Sequence, residues 1–133
     1  MYSTEIVLNE KDLISEYNHV HHAKIVSLLE EGRLSLLSFI KLPLEVLVEQ
    51  DLFLVITGLK VRFLREIKAG TILVTCEEIK IDSRKIQMSQ RIVLAESSKV
   101  AVQAEIELMI IDGKSGKAIQ IPEFLGEALL SLI

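Results

Sequence analysis

The hydrophobic periodicity of the chain changes from helical to alternating after residue 51. Residues 22–41 carry apolar side chains at the intervals of an α-helix, and Pro43 follows them, where its ring disfavours further helix. From residue 52 onward, four runs alternate apolar and polar side chains, most regularly over 100–110. A period of two is typical of strands that bury one face. The sequence therefore predicts one long helix followed by four strands.

The connections between the four runs predict how these strands pair. "KAGT", "IDSRK" and "AESSK" are only a few residues long, which favours antiparallel hairpins. A further strand is predicted over 3–8, and Pro122 is well placed to begin a short final helix. We therefore predict an α+β fold, with an antiparallel sheet of about five strands and a long helix buried against its concave face.

Length, charge and composition narrow the functional classes. The 133 residues suffice for one domain, 1–133, and half of them are hydrophobic. A net charge of -4 argues against a nucleic-acid partner, because such proteins need a surplus of cations. No apolar run is long enough to span a membrane and no signal peptide is visible. We expect a cytoplasmic protein in which Cys76 is a small core residue.

One charged residue lies on the apolar side of the predicted helix. On a helical wheel Arg33 projects into the hydrophobic arc, and Glu30 falls at the edge of that arc. A buried guanidinium needs a partner, and Glu30 is one candidate. A structural ion pair, a snorkelling arginine, and an arginine and carboxylate that face a cleft all remain open.

Three histidines stand at the start of this helix, in the stretch "NHVHHAKIVSLLEEGR" over 18–33. His19, His21 and His22 lack the spacing of four residues that places two ligands on one helical face, and no cysteine is near. We therefore expect no metal site. A histidine here is more often a capping residue than a catalyst, although substrate contact stays open.

Several stretches together resemble one family. The stretch 18–33, the strand "LKVRFLREIKAGTILV" and the ending "IDGKSGKAIQIPEFLGEAL" resemble the hot-dog-fold thioesterases of the 4-hydroxybenzoyl-CoA thioesterase class. The resemblance implies a long helix wrapped by a curved antiparallel sheet, in homodimers or homotetramers. It also implies hydrolysis of an acyl-CoA or acyl-carrier-protein thioester at a subunit interface, with no cofactor beyond the CoA thioester as substrate.

One branch of the family opens the helix with a motif that this chain matches only in part. His19, Val20 and Ala23 fit the motif, Asn18 replaces its glycine, and Ser15 replaces its catalytic aspartate. A serine cannot act as that carboxylate, and Glu16 is one residue out of register. The alternative function is therefore a non-catalytic acyl-thioester-binding protein, a sensor or scaffold. Dehydratase chemistry is not favoured, because its histidine and acid pattern is unmatched.

A second branch carries its acid on the helix, and there the match implies a catalytic role for Glu30. Glu30 would activate water, while Asn18, His19 or His22 would orient the water or the thioester carbonyl. Free amides at the helix start, from His22 to Lys24, would stabilise the oxyanion.

The phosphates of CoA need cationic partners. The resemblance implies contacts from the turn that contains Ser83, Arg84 and Lys85. Arg62 and Arg65 on the polar face of their strand are further candidates, because arginine suits phosphate geometry. For each of these five residues, an ordinary solvated surface stays open.

Overall fold

The fold combines an antiparallel sheet with three helices, and the computed structural model describes residues 1–14 and 16–132. In chain order the elements are β1 (Tyr2–Leu8), a 3-10 turn (Glu10–Asp12), β2 (Leu13–Ile14), β3 (His19–Val20), α1 (His22–Phe39), α2 (Leu44–Glu49), β4 (Leu52–Phe63), β5 (Gly70–Asp82), β6 (Lys85–Leu94), β7 (Val100–Asp112), β8 (Ala118–Ile119) and α3 (Glu123–Leu130). The predicted α+β class is confirmed.

The main sheet has the strand order β1-β5-β6-β7-β4, and β8 pairs with β7. All its pairings are antiparallel, and β2 and β3 form a separate hairpin. The sheet thus has six strands where about five were predicted. The added strand, β8, is two residues long, which is too short to produce a recognisable alternation.

Helix α1 packs on β1, β5 and β6. It begins at the predicted residue and ends at Phe39, two residues earlier than predicted. Its buried side consists of Ile25, Leu28, Leu29, Gly32, Arg33, Leu36 and Leu37. The helical wheel also places Phe39 on this apolar side, but Phe39 is 62% exposed and lies against the ring of Tyr2, 5.2 Å between centroids.

The buried partner of Arg33 is an amide from the sheet. Arg33 Nη1 donates to Gln90 Oε1 at 2.9 Å, and Gln90 Nε2 donates to the Leu29 carbonyl at 3.0 Å. Glu30 is exposed and acts on Arg33 through its charge: burial lowers the pKa of Arg33, and Glu30 opposes that shift. Gln90, and not Glu30, therefore forms the hydrogen bond that holds the Arg33 guanidinium.

Helix α2 was not predicted, because Pro43 was interpreted only as the stop of the preceding helix. Pro43 is also the N-cap of α2, with φ −61° and ψ 163°. The preset φ of proline suits the entry to a helix as well as the exit from one. The two turns of helix that follow pack on β4.

Strand β4 lies at one edge of the sheet and contains a bulge at Thr57. Ile56 is opposite Leu108, whereas Gly58 is opposite Glu107, so one extra residue is inserted. Because of this insertion, even-numbered residues before the bulge and odd-numbered residues after it face the same side. On that side three apolar residues are 46%, 43% and 51% exposed and form what we name the edge row: Ile56, Leu59 and Phe63.

Candidate functional site

A cleft of about 580 Å³ opens between the start of α1 and the segment that follows β4. We name it the histidine cleft. Its lining residues are Ile14, Tyr17, His19, Val20, His21, His22, Ile25, Phe63, Leu64, Arg65, Glu66 and Ile67. All three histidines of the chain are among them. The cleft therefore gathers imidazole rings and one cationic side chain around apolar residues.

Hydrogen bonds hold the two walls of the cleft together. The Val20 amide donates to the Ile67 carbonyl at 2.8 Å, and the Leu64 and Arg65 amides donate to the Ala101 carbonyl at 2.8 and 3.1 Å. Val20 is 2% exposed and Ile67 is 0% exposed. The walls thus share a buried apolar junction, which fixes the helix start relative to the segment after β4.

Asn18 forms the turn between β2 and β3 and is not among the described residues that line the cleft. Its φ is 54°, and its amide donates to the Ile14 carbonyl at 2.8 Å. Asparagine tolerates this left-handed conformation better than most residues do. This explains why asparagine can replace the motif's glycine, and it assigns Asn18 a role in shaping the turn.

The three histidines make different contacts. His19 Nδ1 lies 3.1 Å from the Val20 carbonyl oxygen, and the His19 ring stacks on Tyr17 at 5.5 Å. The ring centroid of His22 lies 4.1 Å from that of His21 and 6.4 Å from that of Phe63. His19 and His22 therefore have different ring neighbours in the cleft.

His21 caps helix α1, because its Nδ1 accepts a hydrogen bond from the Ala23 amide at 3.0 Å. Such a cap satisfies one of the amides that a helix start leaves unpaired. The Ala23 amide was expected to be free for an oxyanion, and that expectation is corrected.

Ser15 and Glu30 occupy the two positions at which the family branches carry their acid. Ser15 lies outside the described residues. Glu30 is exposed, and the described lining of the cleft does not include it. It follows His22 by eight residues on α1, which is about 12 Å at a rise of about 1.5 Å per residue.

The five phosphate-binding candidates fall into separate places. Arg65 lines the histidine cleft, whereas Arg62 is exposed on β4 opposite Gln103. Three candidates, Ser83, Arg84 and Lys85, line a different groove of about 360 Å³, together with Asp82 and Gln120. Lys85 Nζ also lies 3.4 Å from a Glu107 carboxylate oxygen.

The turn with Ser83 and the histidine cleft lie at opposite ends of the sheet. Phe63 is opposite Val102, Val102 is opposite Ile92, and Ile92 is opposite Val74. Asp82 follows Val74 by eight positions on β5, which corresponds to roughly 26 Å along a strand. One chain therefore does not bring the turn to its own cleft.

Sequence reasoning missed part of the lining. Tyr17, Phe63, Leu64 and Glu66 were not predicted as site residues, and all four line the cleft. The contact that joins the two walls links Val20 to Ile67, which are far apart in the chain. Periodicity reports on neighbouring residues alone, so it carries no signal for this contact.

Within residues 1–14 and 16–132, no group of three or more histidine, cysteine, aspartate or glutamate side chains is arranged to hold a metal ion. Over the same ranges, no helix combines the length and the apolar character needed to cross a membrane.

Solved structures with the same fold come from several bacteria. The 1,4-dihydroxy-2-naphthoyl-CoA thioesterase Slr0204 from Synechocystis has a TM-score of 0.89 at 19% identity, over 98% of this chain and 96% of that chain. The hypothetical protein SAV2348 from Staphylococcus aureus, solved in complex with CoA, has a TM-score of 0.88 at 15% identity, over 97% and 81%.

YbaW, a probable thioesterase from Escherichia coli, has a TM-score of 0.79 at 24% identity, over 96% of this chain and 95% of that chain. No match was found among curated proteins. The model of the thioesterase-like superfamily matches residues 9–129. The chain therefore belongs to the thioesterase-like superfamily, as a member with the hot-dog fold.

Proposed function

We propose that the protein is a thioesterase that hydrolyses an acyl-CoA or acyl-carrier-protein thioester in the histidine cleft. The observation that carries this proposal is the cleft itself, which gathers a helix start, three histidines and Arg65 around the Val20 and Ile67 junction. Membership of the thioesterase-like superfamily supports the reaction class. The thioester is the substrate, and the proposal includes no further cofactor or metal.

The cleft supplies groups that thioester hydrolysis needs. A thioester carbonyl near the start of α1 would meet the positive end of the helix dipole, which stabilises a developing oxyanion. The imidazoles of His19 and His22 can orient the carbonyl or the attacking water. Arg65 can bind a phosphate of the CoA handle, since its guanidinium donates several hydrogen bonds.

The active unit in this proposal is a homodimer, and the resemblance extends it to a homotetramer. Strand β4 is an unpaired edge of 12 residues that exposes the edge row. A second copy that pairs with β4 in antiparallel direction would cover this surface. Ser83, Arg84 and Lys85 lie at the end of the sheet where β4 begins, at Leu52. The second copy would therefore bring these three residues toward the histidine cleft of the first chain.

This arrangement sets the roles of the remaining sequence candidates. Ser83, Arg84 and Lys85, together with Arg62 near the edge, would bind CoA phosphates across the subunit boundary. The resemblance to the second family branch implies Glu30 as a base. Because it lies about 12 Å along α1 from His22, it would have to act on the cleft of another subunit.

A panel of acyl-CoA and acyl-carrier-protein thioesters tests the function, with thiol release followed by a chromogenic thiol reagent. We expect release from at least one substrate. Arg65→Gln should raise KM for acyl-CoA by about 10- to 10²-fold with kcat nearly unchanged, since a charge-assisted hydrogen bond to phosphate is worth roughly 1.5–3 kcal/mol. Lys114→Gln, an exposed site outside the cleft, is the matched control.

Non-hydrolysable thioether analogues distinguish the alternative function. If the analogues raise Tm but no thioester is cleaved, the protein is a binder, as the loss of the aspartate at Ser15 suggests. If neither binding nor release is seen across aromatic and aliphatic acyl groups, the thioester proposal is wrong in both forms.

A further inference from the structure

We infer that Glu66, in the segment between β4 and β5, is the catalytic base of the proposed hydrolysis. This inference rests on the proposed function and gives the role of base to Glu66 in place of Glu30, which does not line the cleft. Among the described residues that line the histidine cleft, Glu66 is the one with a carboxylate.

The backbone on both sides of Glu66 is fixed. The Arg65 amide donates to the Ala101 carbonyl at 3.1 Å, and the Ile67 carbonyl accepts from the Val20 amide at 2.8 Å. The second bond ties the segment to β3 beside the start of α1. Ile67 is 0% exposed and anchors this junction. The backbone of Glu66 is thus held at the cleft by its neighbours, and its side chain is exposed to solvent.

The surroundings of Glu66 suit a base that works with imidazoles. His19 from β3 and His21 and His22 at the helix start share the cleft with Glu66, and Tyr17 and Arg65 are the other titratable residues of its lining. Glu66 also borders a second groove, which contains Lys68 and Glu96. A water molecule in the cleft would therefore have a carboxylate on one wall and imidazoles on the other.

The chemical step uses only water and the thioester. The Glu66 carboxylate takes a proton from water as the water oxygen forms a bond to the carbonyl carbon, and the carbonyl oxygen becomes an oxyanion. The oxyanion then reforms the C=O bond, the C–S bond breaks, and the thiolate takes the proton from Glu66. The products are a carboxylic acid and a thiol, and Glu66 returns to its carboxylate form.

Glutamine variants of three carboxylates test the assignment: Glu66→Gln, Glu30→Gln and Glu16→Gln. With the best substrate of the panel, Glu66→Gln should lower kcat by about 10² or more, the range typical for loss of a general base. Its Kd for the thioether analogue and its Tm should stay close to the wild-type values. Glu96→Gln is the control, because Glu96 borders the second groove but not the histidine cleft.

The outcomes separate this inference from the function on which it rests. If the wild type cleaves a thioester and Glu66→Gln cleaves it at a similar rate, Glu66 is not the base. A loss confined to Glu30→Gln or Glu16→Gln would transfer the role to that residue and overturn the inference. If the wild type cleaves nothing in the panel, the proposed function itself fails.

Discussion

The thiol of Cys76 illustrates how burial controls chemistry at a single residue. Cys76 is 1% exposed, and its Sγ accepts a hydrogen bond from Gln90 Nε2 at 3.6 Å. Burial raises the pKa of this thiol to about 12, although the nearby Arg33 charge acts in the opposite direction. The prediction of a buried core cysteine is confirmed, and the thiol is held in its unreactive protonated form.

The folded protein should therefore resist thiol alkylation. At pH 8 we expect Cys76 to react with iodoacetamide at least about 10²-fold more slowly than the unfolded chain does, since the thiolate is the reactive form. Because the folded pKa is raised, the contribution of Cys76 to stability is complete below the unfolded pKa. It is lost as pH rises from about 9 toward 12. Mass spectrometry in buffer and in denaturant measures both rates, and equal rates would contradict the assignment.

For Arg33, the sequence predicted the position of the residue but not its hydrogen-bond partner. Its position on the apolar side of α1 was predicted from the helical period, and it is buried. Its hydrogen-bond partner Gln90 lies on β6, far away in the chain. From the neighbouring residues Glu30 was one candidate, because a periodic pattern contains no information about which strand lies beneath a helix.

At the scale of the elements, α1 lies close to the sheet at Gly32. A Cβ atom built on Gly32 would overlap the Val74 Cγ1 methyl and lie 3.2 Å from Gln90 Nε2. Val74 and Gln90 are both 0% exposed, so neither side chain has room to move away. The absence of a side chain at this position sets the distance between α1 and strands β5 and β6.

We predict that Gly32→Ala destabilises the fold although alanine favours helices. The overlap should lower the free energy of unfolding by about 1–2 kcal/mol, after an offset of about 1 kcal/mol from helix propensity. Gly126→Ala in α3 is the matched control, because its added Cβ would meet only Ile81 Cδ1 at 3.5 Å. That variant should gain about 0.5–1 kcal/mol. Urea unfolding measures both values, and a stabilised Gly32→Ala would refute the prediction.

Most elements that the sequence predicted have long periodic patterns. Two shorter elements, β1 with seven residues and α3 with eight, were also predicted. Helix α1 and strands β4 to β7 were predicted because each repeats its pattern over at least ten residues. Helix α2, the β2–β3 hairpin and β8 were missed, and each has only two to six residues per element. Elements this short are formed by tertiary contacts, such as the packing of α2 on β4.

The candidate site also has one part that the sequence predicted and one part that it did not. His19, His22 and Arg65 were predicted, and the structure places all three in one cleft. The part of the cleft at the start of α1 could be predicted, because its histidines lie within one short stretch of the sequence. The half supplied by residues 63–67 depends on the hydrogen bond between Val20 and Ile67, which no local pattern encodes.

At the scale of the whole molecule, the bulge in β4 would select one register for strand pairing in the proposed homodimer. Residues directly opposite each other in an antiparallel pair share a face. Leu54 and Ile56 before the bulge and Leu59 and Val61 after it face the same side of the sheet. In a symmetric pair, these faces match when Ile56 lies opposite Leu59 and Leu54 opposite Val61 of the other copy.

Cysteine pairs test this register directly. The double variant with Ile56→Cys and Leu59→Cys should form intermolecular disulfides under mild oxidation, since opposite residues have Cα atoms about 4.5–5.5 Å apart. Native Cys76 is buried and should not interfere. Each single variant is a control, because its two thiols would lie roughly 10 Å apart along the strands. Non-reducing gels measure the products. This register is ruled out if the double variant stays monomeric, or if the single variants form as much linked dimer as the double variant does.

The position of the turn with Ser83, Arg84 and Lys85 has a kinetic consequence. This turn lies roughly 26 Å along β5 from Val74, which is in the same row across the sheet as Phe63 of the histidine cleft. A thioester bound by both regions would therefore be shared between two chains, and an isolated chain would hold only half of the contacts. The concentration of the protein would then enter the rate law together with that of the substrate, and turnover per chain would decline when the protein is diluted far enough for its copies to separate.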